Sequence, residues 1–562
     1  MAAHKGWPLI MVLSVLARPA PTPASAAALR MADGTEWQDE VLGLKDGTLK
    51  LKQHGEIPVE KVLRIDLAKE EATGVAKPGM DVGTEAEWKQ LAEDAAAFSK
   101  EYPDDGALLL RDYATTELEA SGPHQTVIRI VYLVQKEDKL GLAQIGMWFQ
   151  DGRSRVKLRY ARSRQPDGTV TAVDPATLKT VTPPNESGFV TNDKVIPCVI
   201  PGVKVGSIID YSYESEEYQP IEKDFYFDSF FFQGEMPVWH SRLDLYCPRD
   251  LQMTWRATLL TESGGAHGET VEGEKRHYFW ETKKMPPIVD EPEMMQMGDV
   301  IPRVRISRLS DWSRLMAYNK KIGESRGQPT PKLVAFTQDL VKDLKTDEEK
   351  VARIYHYLQE KIRYVAVKIG HWAFAPPAAE TWEKGYGCCI DKAFLLQAML
   401  AAVNVKAWLV ELDTVGSPDL DLAVPVFAMD HVISLVELDG RRFYLDCTGN
   451  DARYPSFGQW DQGVACAIHE LGLVDRIPLV PAEHNRYQYD YDLALDEKGT
   501  LEGKLVRSFE GTPETIMRGS YKSSSPEDRQ RSFASLVATW GEGSELLDAK
   551  VLNHQELEKP LR

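Results

Sequence analysis

A glycine-rich turn that leads straight into a helical pattern constrains this chain of 562 residues more than any other segment. The turn is Gly385-Tyr386-Gly387-Cys388-Cys389-Ile390-Asp391, and the apolar residues of 394–400 recur at helical spacing, which predicts an amphipathic helix. Cys389 is therefore predicted in the first turn of that helix, where unpaired N–H groups lower the pKa of a thiol and favour the thiolate. Taken alone, a buried structural cysteine is the simpler interpretation.

A predicted β-hairpin further along the chain carries a histidine and an aspartate. Two strand patterns flank Asp439-Gly440, a strong signal for a two-residue turn. In that register His431 lies opposite Thr448, and Asp446 shares a face with His431, so the two side chains can hydrogen-bond. Asp446 would then orient the imidazole towards a nucleophile. A thiol, a base and an orienting acid are the groups that nucleophilic catalysis needs, although a one-residue slip would separate His431 from Asp446.

The first residues are typical of an export signal. Lys5 precedes an apolar run from Trp7 to Ala17, and Ala24-Ser25-Ala26 offers a cleavage site between small residues. The run is too short to span a bilayer, and no later apolar run reaches that length. We therefore expect cleavage after Ala26, a periplasmic or secreted location and no integral membrane segment. An uncleaved anchor and an ordinary apolar tail are the alternatives.

The composition restricts the classes of partner. The chain has 85 acidic and 66 basic residues, a net charge of −19 and no dense cluster of Lys and Arg, which argues against a nucleic-acid partner. Its six cysteines include no C-x-x-C pair, so neither a disulfide scaffold nor a zinc knuckle is indicated. No calcium-binding loop is present. The sequence thus predicts neither a cofactor nor a metal, and it leaves the oligomeric state open.

The remaining patterns predict a multidomain α+β chain. Short strands with Asp-Gly turns favour a small SH3-like β unit, many alternating strands favour a β-sandwich, and helices alternating with buried strands favour a mixed core. A last β segment with one helix, starting at Ser525, would usually continue, so we expect it to be truncated. The predicted divisions are an export signal at 1–26, the SH3-like unit at 27–67, a linker and helix at 68–104, the β-sandwich domain at 105–290, the core at 300–475 and the C-terminal β-rich segment at 476–562.

Three motifs together resemble a known family. The runs 386–393 (YGCCIDKA), 430–432 (DHV) and 444–448 (YLDCT) resemble, in this order, the core of bacterial transglutaminase-like proteins, a superfamily with a papain-like Cys-His-Asp arrangement. The preceding β-rich part looks like the domain of unknown function 3857, which commonly precedes this core. The resemblance implies that Cys389 is the nucleophile, His431 the base and Asp446 the orienting acid.

The chain departs from the family at one position. Many relatives carry Gly-Asp-Cys-Lys-Asp where this chain has Gly387-Cys388-Cys389-Ile390-Asp391, and alignment of the following Asp-Lys-Ala makes Cys389 the nucleophile. Cys388 is then either a neutral replacement or the partner in a strained vicinal disulfide that a reductant would release. The backbone N–H of Cys389 and the side chains of Tyr364 and Trp372 are candidate donors to an oxyanion.

The resemblance implies acyl transfer on protein or peptide substrates. The thiolate would attack an amide carbonyl to form a thioester, which an amine resolves in transglutamination and water resolves in amidase or peptidase activity. The sequence does not choose between these acceptors. Two other interpretations stay open. One is a non-enzymatic periplasmic binding or assembly protein with a relic triad. The other is a metal site at Cys388, Cys389, His431 and Asp446, for which adjacent cysteines have poor tetrahedral spacing.

Overall fold

The computed structural model describes residues 26–31, 36–45, 48–51, 53–58, 62–67, 84–183, 190–292, 294, 297–365, 367–368, 375–414, 423–425 and 430–562. The chain divides into two compact units, Met1–Gly83 and Thr84–Arg562. The predicted export signal up to Ser25, the linker at 68–83 and Trp372 lie outside the described residues. The prediction of a multidomain α+β chain is confirmed by the order of its helices and strands.

The first unit is a five-stranded antiparallel sheet. Its strands are β1 Ala26–Met31, β2 Glu36–Lys45, β3 Thr48–Leu51, β4 Gly55–Pro58 and β5 Val62–Leu67. The spatial order is β4-β3-β2-β1-β5, so four consecutive strands pair with their neighbours and β5 returns beside β1. Short antiparallel strands that pair with their neighbours along the chain are the structure that successive hairpins predict.

The second unit opens with helix α1, Glu85–Glu101, followed by a β-rich region. The hydroxyl of Thr84 accepts from the N–H of Glu87 and caps the helix. The strands that follow are β6 Ala107–Leu118, β7 His124–Val134, β8 Gln144–Gln150, β9 Ser154–Arg164, β10 Val170–Ala172, β11 Val190–Thr191, β12 Asp193–Val199, β13 Ile208–Glu217, β14 Phe227–Phe231, β15 Val238–Pro248, β16 Thr254–Thr258, β17 Ala266–Glu272, β18 Lys275–Met285 and β19 Arg303–Ser307.

Eight of these strands form one large sheet in the order β10-β9-β13-β7-β6-β15-β18-β17. Helix α1 packs on one face through Leu91 and Phe98, and the three-stranded sheet β14-β19-β16 and the β8–β12 ribbon cover the other face. The sequence predicts antiparallel sheets, but β6 and β15 are parallel. The long connection between them, which contains β7 to β14, allows the crossover that a parallel pair requires.

The following region contains a five-stranded antiparallel sheet, β25-β24-β23-β26-β27, with helices on one face. Helix α7 packs against α5, α6, β23 and β24, so its residues 393–396 and 398–400 are almost inaccessible to solvent. The sequence predicts an amphipathic helix, but this helix is buried all round. The elements are α2 Met297–Val300, α3 Ser313–Arg326, α4 Pro331–Leu340, α5 Asp347–Lys361, β20 Arg363–Tyr364, β21 Val367–Lys368, α6 Ala378–Lys384, β22 Tyr386–Gly387, α7 Cys389–Ala401, β23 Lys406–Leu412, β24 His431–Leu438, β25 Arg441–Leu445, β26 Ala465–Ile468 and β27 Leu473–Arg476.

The last region is a two-stranded sheet followed by two helices. Its elements are β28 Arg486–Leu495, β29 Leu501–Glu510, α8 Thr512–Ser523 and α9 Pro526–Ala538. Ser525 caps α9 as predicted, whereas the sequence did not indicate α8. The buried guanidinium of Arg518 on α8 donates to the carbonyl oxygens of Glu556 and Lys559 and thereby holds the last residues against this helix. In the described part of the chain, no helix combines the length and apolar character needed to cross a bilayer.

Candidate active site

Helix α7 begins at Cys389, as the glycine-rich turn predicts. Cys388 occupies the N-cap position, and its backbone N–H donates to Oδ2 of Asp391 at 2.9 Å. Gly387 leaves room for this turn, because a Cβ atom there would lie 2.7 Å from Cβ of Asp391 and 3.0 Å from Cγ2 of Thr381. The sulfur of Cys389 therefore lies where the N-terminal end of the helix favours a negative charge.

The hairpin of β24 and β25 has the predicted register. Leu438 pairs with Arg441 across a turn in which Asp439 and Gly440 have φ values of +50° and +76°. Positive φ at both turn residues is the type I′ geometry that an Asp-Gly pair favours. Pairing along this register leads to His431 at the start of β24 and to Asp446 directly after β25.

The structure brings His431 and Asp446 together. Nε2 of His431 lies 3.5 Å from Oδ2 of Asp446. Oδ1 of Asp446 accepts from the N–H of Thr448 at 2.8 Å and from its hydroxyl at 2.7 Å, which fixes the rotamer of the carboxylate. Because Nε2 faces Asp446, Nδ1 is left for the thiol, and Cys389 is near enough to raise the pKa of His431. All three residues predicted for the site therefore meet at one place.

The surroundings favour a thiolate at Cys389. A hydrogen bond from the thiol of Cys388 lowers the pKa of Cys389; burial opposes this effect, and the hydrogen bond and charge of His431 lower the pKa further. The same sulfur–sulfur hydrogen bond, together with burial, raises the pKa of Cys388. We assign the negative charge to Cys389, since this sulfur is the one that contacts the imidazole. All six cysteines are free thiols.

The imidazole of His431 is held as a cation. Burial lowers the pKa of His431, but hydrogen bonds with Asp446 and Cys389 outweigh it and raise the pKa to about 11. Burial raises the pKa of Asp446. The contacts with His431 and Thr448 have the larger, opposite effect and hold the pKa of Asp446 below its ordinary value. These pKa directions favour a resting row of thiolate, imidazolium and carboxylate.

Tyr364 lies beside the thiols. Strand β20 pairs with β22 and places Tyr364 next to Gly387, the residue before the two cysteines. Burial and the nearby charges of Cys389 and Cys388 raise the pKa of its phenol, so the hydroxyl keeps its proton and can donate it in a hydrogen bond. The fully buried ammonium of Lys392 donates to the carbonyl of Ile362 at 2.6 Å and holds this segment against α7.

Asp461 is a residue of the site that the sequence did not indicate. Its Oδ1 lies 3.9 Å from Nε2 of His431, and the side chain is only 3% exposed. It belongs to a short 3₁₀ turn, Gln459–Asp461, in the connection between β25 and β26. A loop residue of this kind has no periodicity or fixed spacing to a motif, so no sequence signal pointed to it.

The side chains of His431, Asp446 and Asp461 offer donor atoms of the kind that bind a metal. Within the described ranges, His431, Asp446 and Asp461 are the group of three whose donor atoms lie within 4.8 Å of one another, and neither cysteine is part of it. A metal there would need Nε2 of His431, the nitrogen that already faces Asp446. We assign no metal, because the same atoms are accounted for by a hydrogen-bonded acid–base pair.

Family models identify two domains. The model of the transglutaminase-like superfamily matches residues 334–443, a range that contains Cys389 and His431 and ends just before Asp446. The chain carries a transglutaminase-like domain. The preceding residues 120–289 match DUF3857, a domain of unknown function with a solved structure. No curated protein sequence matches the chain.

One solved structure resembles the fold of much of this chain. A candidate protease from Parabacteroides distasonis is 14% identical, with a TM-score of 0.56 over 70% of this chain and 78% of that chain. At this identity the likeness shows the fold alone. A candidate cysteine protease from Cytophaga hutchinsonii is 10% identical over 69% of this chain and 87% of that chain, and its TM-score of 0.18 supports no structural argument.

Proposed function

We propose that the transglutaminase-like domain is a cysteine enzyme that transfers the acyl group of an amide through a thioester. The observation that carries this proposal is the buried row in which His431 faces Asp446 at 3.5 Å and adjoins Cys389 at the start of α7, so that each raises or lowers the pKa of the other. A relic triad in a binding protein would not need to keep a thiolate, an imidazolium and a carboxylate aligned. No other described feature favours the binding-protein interpretation over catalysis.

The proposed reaction has two steps. The thiolate of Cys389 attacks the carbonyl carbon, the C–N bond of the tetrahedral intermediate breaks, and the departing amine takes the proton of the His431 imidazolium. A thioester remains on Sγ. Neutral His431 then takes a proton from an incoming amine or water, whose attack releases the acyl group and restores the thiolate and imidazolium.

The oxyanion of each intermediate needs donors. The backbone N–H of Cys389 has no acceptor inside its own helix, because it belongs to the first turn. Strand pairing places Tyr364 next to Gly387, and its phenol retains its proton because burial and the nearby cysteines raise its pKa. We propose these two groups as the oxyanion donors, each of which typically contributes about 3 kcal/mol to such a transition state.

The proposed substrates are proteins or peptides outside the cytoplasm. The net charge of −19 and the absence of a basic cluster in the sequence argue against a nucleic-acid substrate. The apolar run from Trp7 to Ala17 and the small residues before Ala27 support export. Water as acceptor would make the enzyme a peptidase or amidase, and a primary amine would make it a transglutaminase.

Thiol alkylation tests the proposal without a known substrate. Iodoacetamide is applied across a pH series to the wild type, Cys389→Ala and Cys388→Ala, and mass spectrometry locates the label. We expect one fast site whose apparent pKa lies below that of an ordinary thiol, about 8.5. This site disappears in Cys389→Ala and persists in Cys388→Ala with a higher pKa, because the hydrogen bond from Cys388 is lost. Slow and uniform labelling of all the cysteines would support the binding-protein interpretation.

The acyl acceptor is tested with an activated ester. Intact-mass analysis should show an acyl group on the wild type and none on Cys389→Ala. Addition of a primary amine then competes with water, and the two products identify the preferred acceptor. A wild-type enzyme that has a reactive thiolate but accepts no acyl group would contradict acyl transfer.

A further inference from the structure

Two buried carboxyl groups face the same imidazole nitrogen. Nε2 of His431 lies 3.5 Å from Oδ2 of Asp446 and 3.9 Å from Oδ1 of Asp461. The exposed fractions of the aspartates are 9% and 3%, so water screens neither well. The other nitrogen of the imidazole is left for Cys389. A single imidazolium charge cannot neutralise two carboxylates and a thiolate. Like charges this close and this buried do not both stay ionised.

The groups around the pair decide which carboxyl keeps a proton. Asp446 accepts two hydrogen bonds from Thr448 and faces the imidazolium, so it is the better carboxylate. Burial raises the pKa of Asp461 to about 8, the charges of Asp446 and Asp430 add to the rise, and His431 opposes them. One oxygen of each carboxyl group lies within 4.8 Å of the other, and Oδ2 of Asp461 is buried without a hydrogen-bond partner among the described residues.

Neighbouring elements supply no cation that would change this balance. Asp430, before β24, accepts from the N–H and hydroxyl of Thr414. The phenol of Tyr355, on α5, keeps its proton, because burial and the nearby acids raise its pKa. The ammonium of Lys392, on α7, feels the charge of Asp446, but it donates to the carbonyl of Ile362. His431 is thus the only cation that directly faces Asp461 among the described residues.

The loop that carries Asp461 is held for this approach. The hydroxyl of Tyr355 contacts the carbonyl oxygens of Asp446 and Ser456 at 2.8 and 2.9 Å, which ties the loop to the strand end. A Cβ atom at Gly458 would lie 2.9 Å from Oδ2 of Asp461 and 3.9 Å from Oδ2 of Asp446. The φ of Gly458 is −59°, so the backbone does not require glycine. The glycine instead leaves space for the two carboxyl groups to meet.

We propose that Asp461 is a positioning residue that stays protonated and donates a hydrogen bond to Asp446, holding that carboxylate against His431. This role rests on the proposed thiol chemistry. It adds Asp461 to the row of Cys389, His431 and Asp446. Loss of the proton from Asp461 places a second negative charge beside the imidazolium. His431 then releases its proton less readily to a departing amine and holds it more tightly during attack by the acceptor. Activity should therefore decline as Asp461 ionises.

Infrared spectroscopy tests the proton directly and needs no substrate. The difference spectrum between the wild type and Asp461→Asn should contain the C=O stretch of a protonated carboxyl at neutral pH, and this band should titrate near pH 8. In Asp446→Asn the same band should titrate at lower pH, because the adjacent negative charge is gone. Absence of the band from the wild type at neutral pH would overturn the inference, whatever the enzyme's activity.

The pH profile of acyl-enzyme turnover tests the role. In the wild type the rate should fall about tenfold for each pH unit well above the titration of Asp461. In Asp461→Asn the amide donates at every pH, so this fall should vanish. This variant should also keep a larger share of the wild-type rate than Asp461→Leu, which has no donor. Equal profiles in the three proteins would leave the thiol chemistry intact and reject the role of Asp461.

Gly458→Ala tests the contact between the two carboxyl groups independently of the folding of Asp461→Asn. Gly458→Ala changes no charge but pushes the carboxyl of Asp461 away, and it should shift the titration of the infrared band to lower pH. Gly449→Ala is the matched control, since a Cβ atom there meets nothing within 4 Å. An unchanged band in Gly458→Ala would show that the two carboxyl groups do not interact.

Discussion

His431 shows how a residue's partners set its chemistry. An isolated histidine on a strand is usually a satisfied structural residue, but this imidazole has a thiol on one nitrogen and a carboxylate on the other. The two partners outweigh the desolvation of the ring and keep it charged. The hydroxyl and N–H of Thr448 fix the carboxylate in turn, so orientation passes from Thr448 through Asp446 to His431.

Substitution of Asp446 by asparagine should expose this dependence. Without the carboxylate the pKa of His431 falls, the imidazolium stabilises the thiolate less, and the apparent pKa of Cys389 rises towards that of an ordinary thiol. Acylation should slow by about 10²- to 10⁴-fold, the usual contribution of a positioned acid–base pair. The alkylation profile and the acylation rate measure the two effects.

Thr448→Val is the milder control for Asp446→Asn. It removes the hydroxyl donor but keeps the backbone N–H, so its loss of rate should be much smaller. An alkylation profile for Asp446→Asn that matches the wild type would mean that another group orients His431.

The elements place the reacting groups by packing the start of helix α7 against the start of strand β24. Helix α7 lies directly on β23 and β24, so the end that carries Cys389 and the strand end that carries His431 meet at one edge. The turn before the helix has little room: Gly387 lies against Asp391 and Thr381. Small changes at this turn should therefore move the sulfur.

Gly387→Ala should destabilise the protein and slow alkylation of Cys389. The added methyl group would lie 2.7 Å from Cβ of Asp391, so the helix start must shift. Overpacking of this kind typically costs about 1–3 kcal/mol. Denaturant unfolding and the alkylation rate measure the change. Gly449→Ala, in open space, should change stability by less than about 0.5 kcal/mol, and an equal loss in both variants would contradict the steric argument.

At the scale of the whole molecule, the β-rich region and the transglutaminase-like domain share one compact unit. Phe225, from the β-rich region, packs with Trp312 of the connection into α3 and with Ala467 of β26. Strand β11 also pairs with β21, which precedes α6. Stability therefore also depends on buried groups outside the row of Cys389, His431 and Asp446, and His356 is one of these.

Acid should destabilise the protein through His356. This residue is 3% exposed, and its Nε2 accepts from the N–H of Tyr454 at 3.0 Å, which requires the neutral imidazole. Burial lowers its pKa to about 4, below the ordinary 6.5, so the unfolded chain binds the proton first as pH falls. Its contribution is fully present above pH 6.5, and up to about 3 kcal/mol is lost as pH falls through the folded pKa.

His356→Gln should reduce this acid sensitivity. Melting temperatures of the wild type and variant are compared at neutral pH and near pH 4, and the difference between the two pH values should shrink in the variant. His484→Gln is the control, because His484 is an exposed histidine of the same unit. An undiminished acid effect in His356→Gln would assign the sensitivity to other groups.

Sequence signals between neighbouring residues predicted much of the local structure around the site. The start of helix α7 at Cys389 follows from the glycine turn, and the register of β24 and β25 follows from the Asp439-Gly440 turn. Both are short-range effects, since turn geometry and period-two alternation act between neighbours along the chain. The start of α9 at Ser525 is likewise a short-range signal, which the sequence predicts.

Other features emerged only when distant segments packed together. The burial of α7 on all sides, the parallel pairing of β6 with β15 and the approach of Asp461 to His431 each join parts of the chain with no local signal in common. Their positions depend on which surfaces fit together once the core has formed, and short-range patterns carry no information about that fit. Residue types and turns therefore predicted that Cys389, His431 and Asp446 share one site, whereas long-range packing brought the three side chains together and added Asp461 beside them.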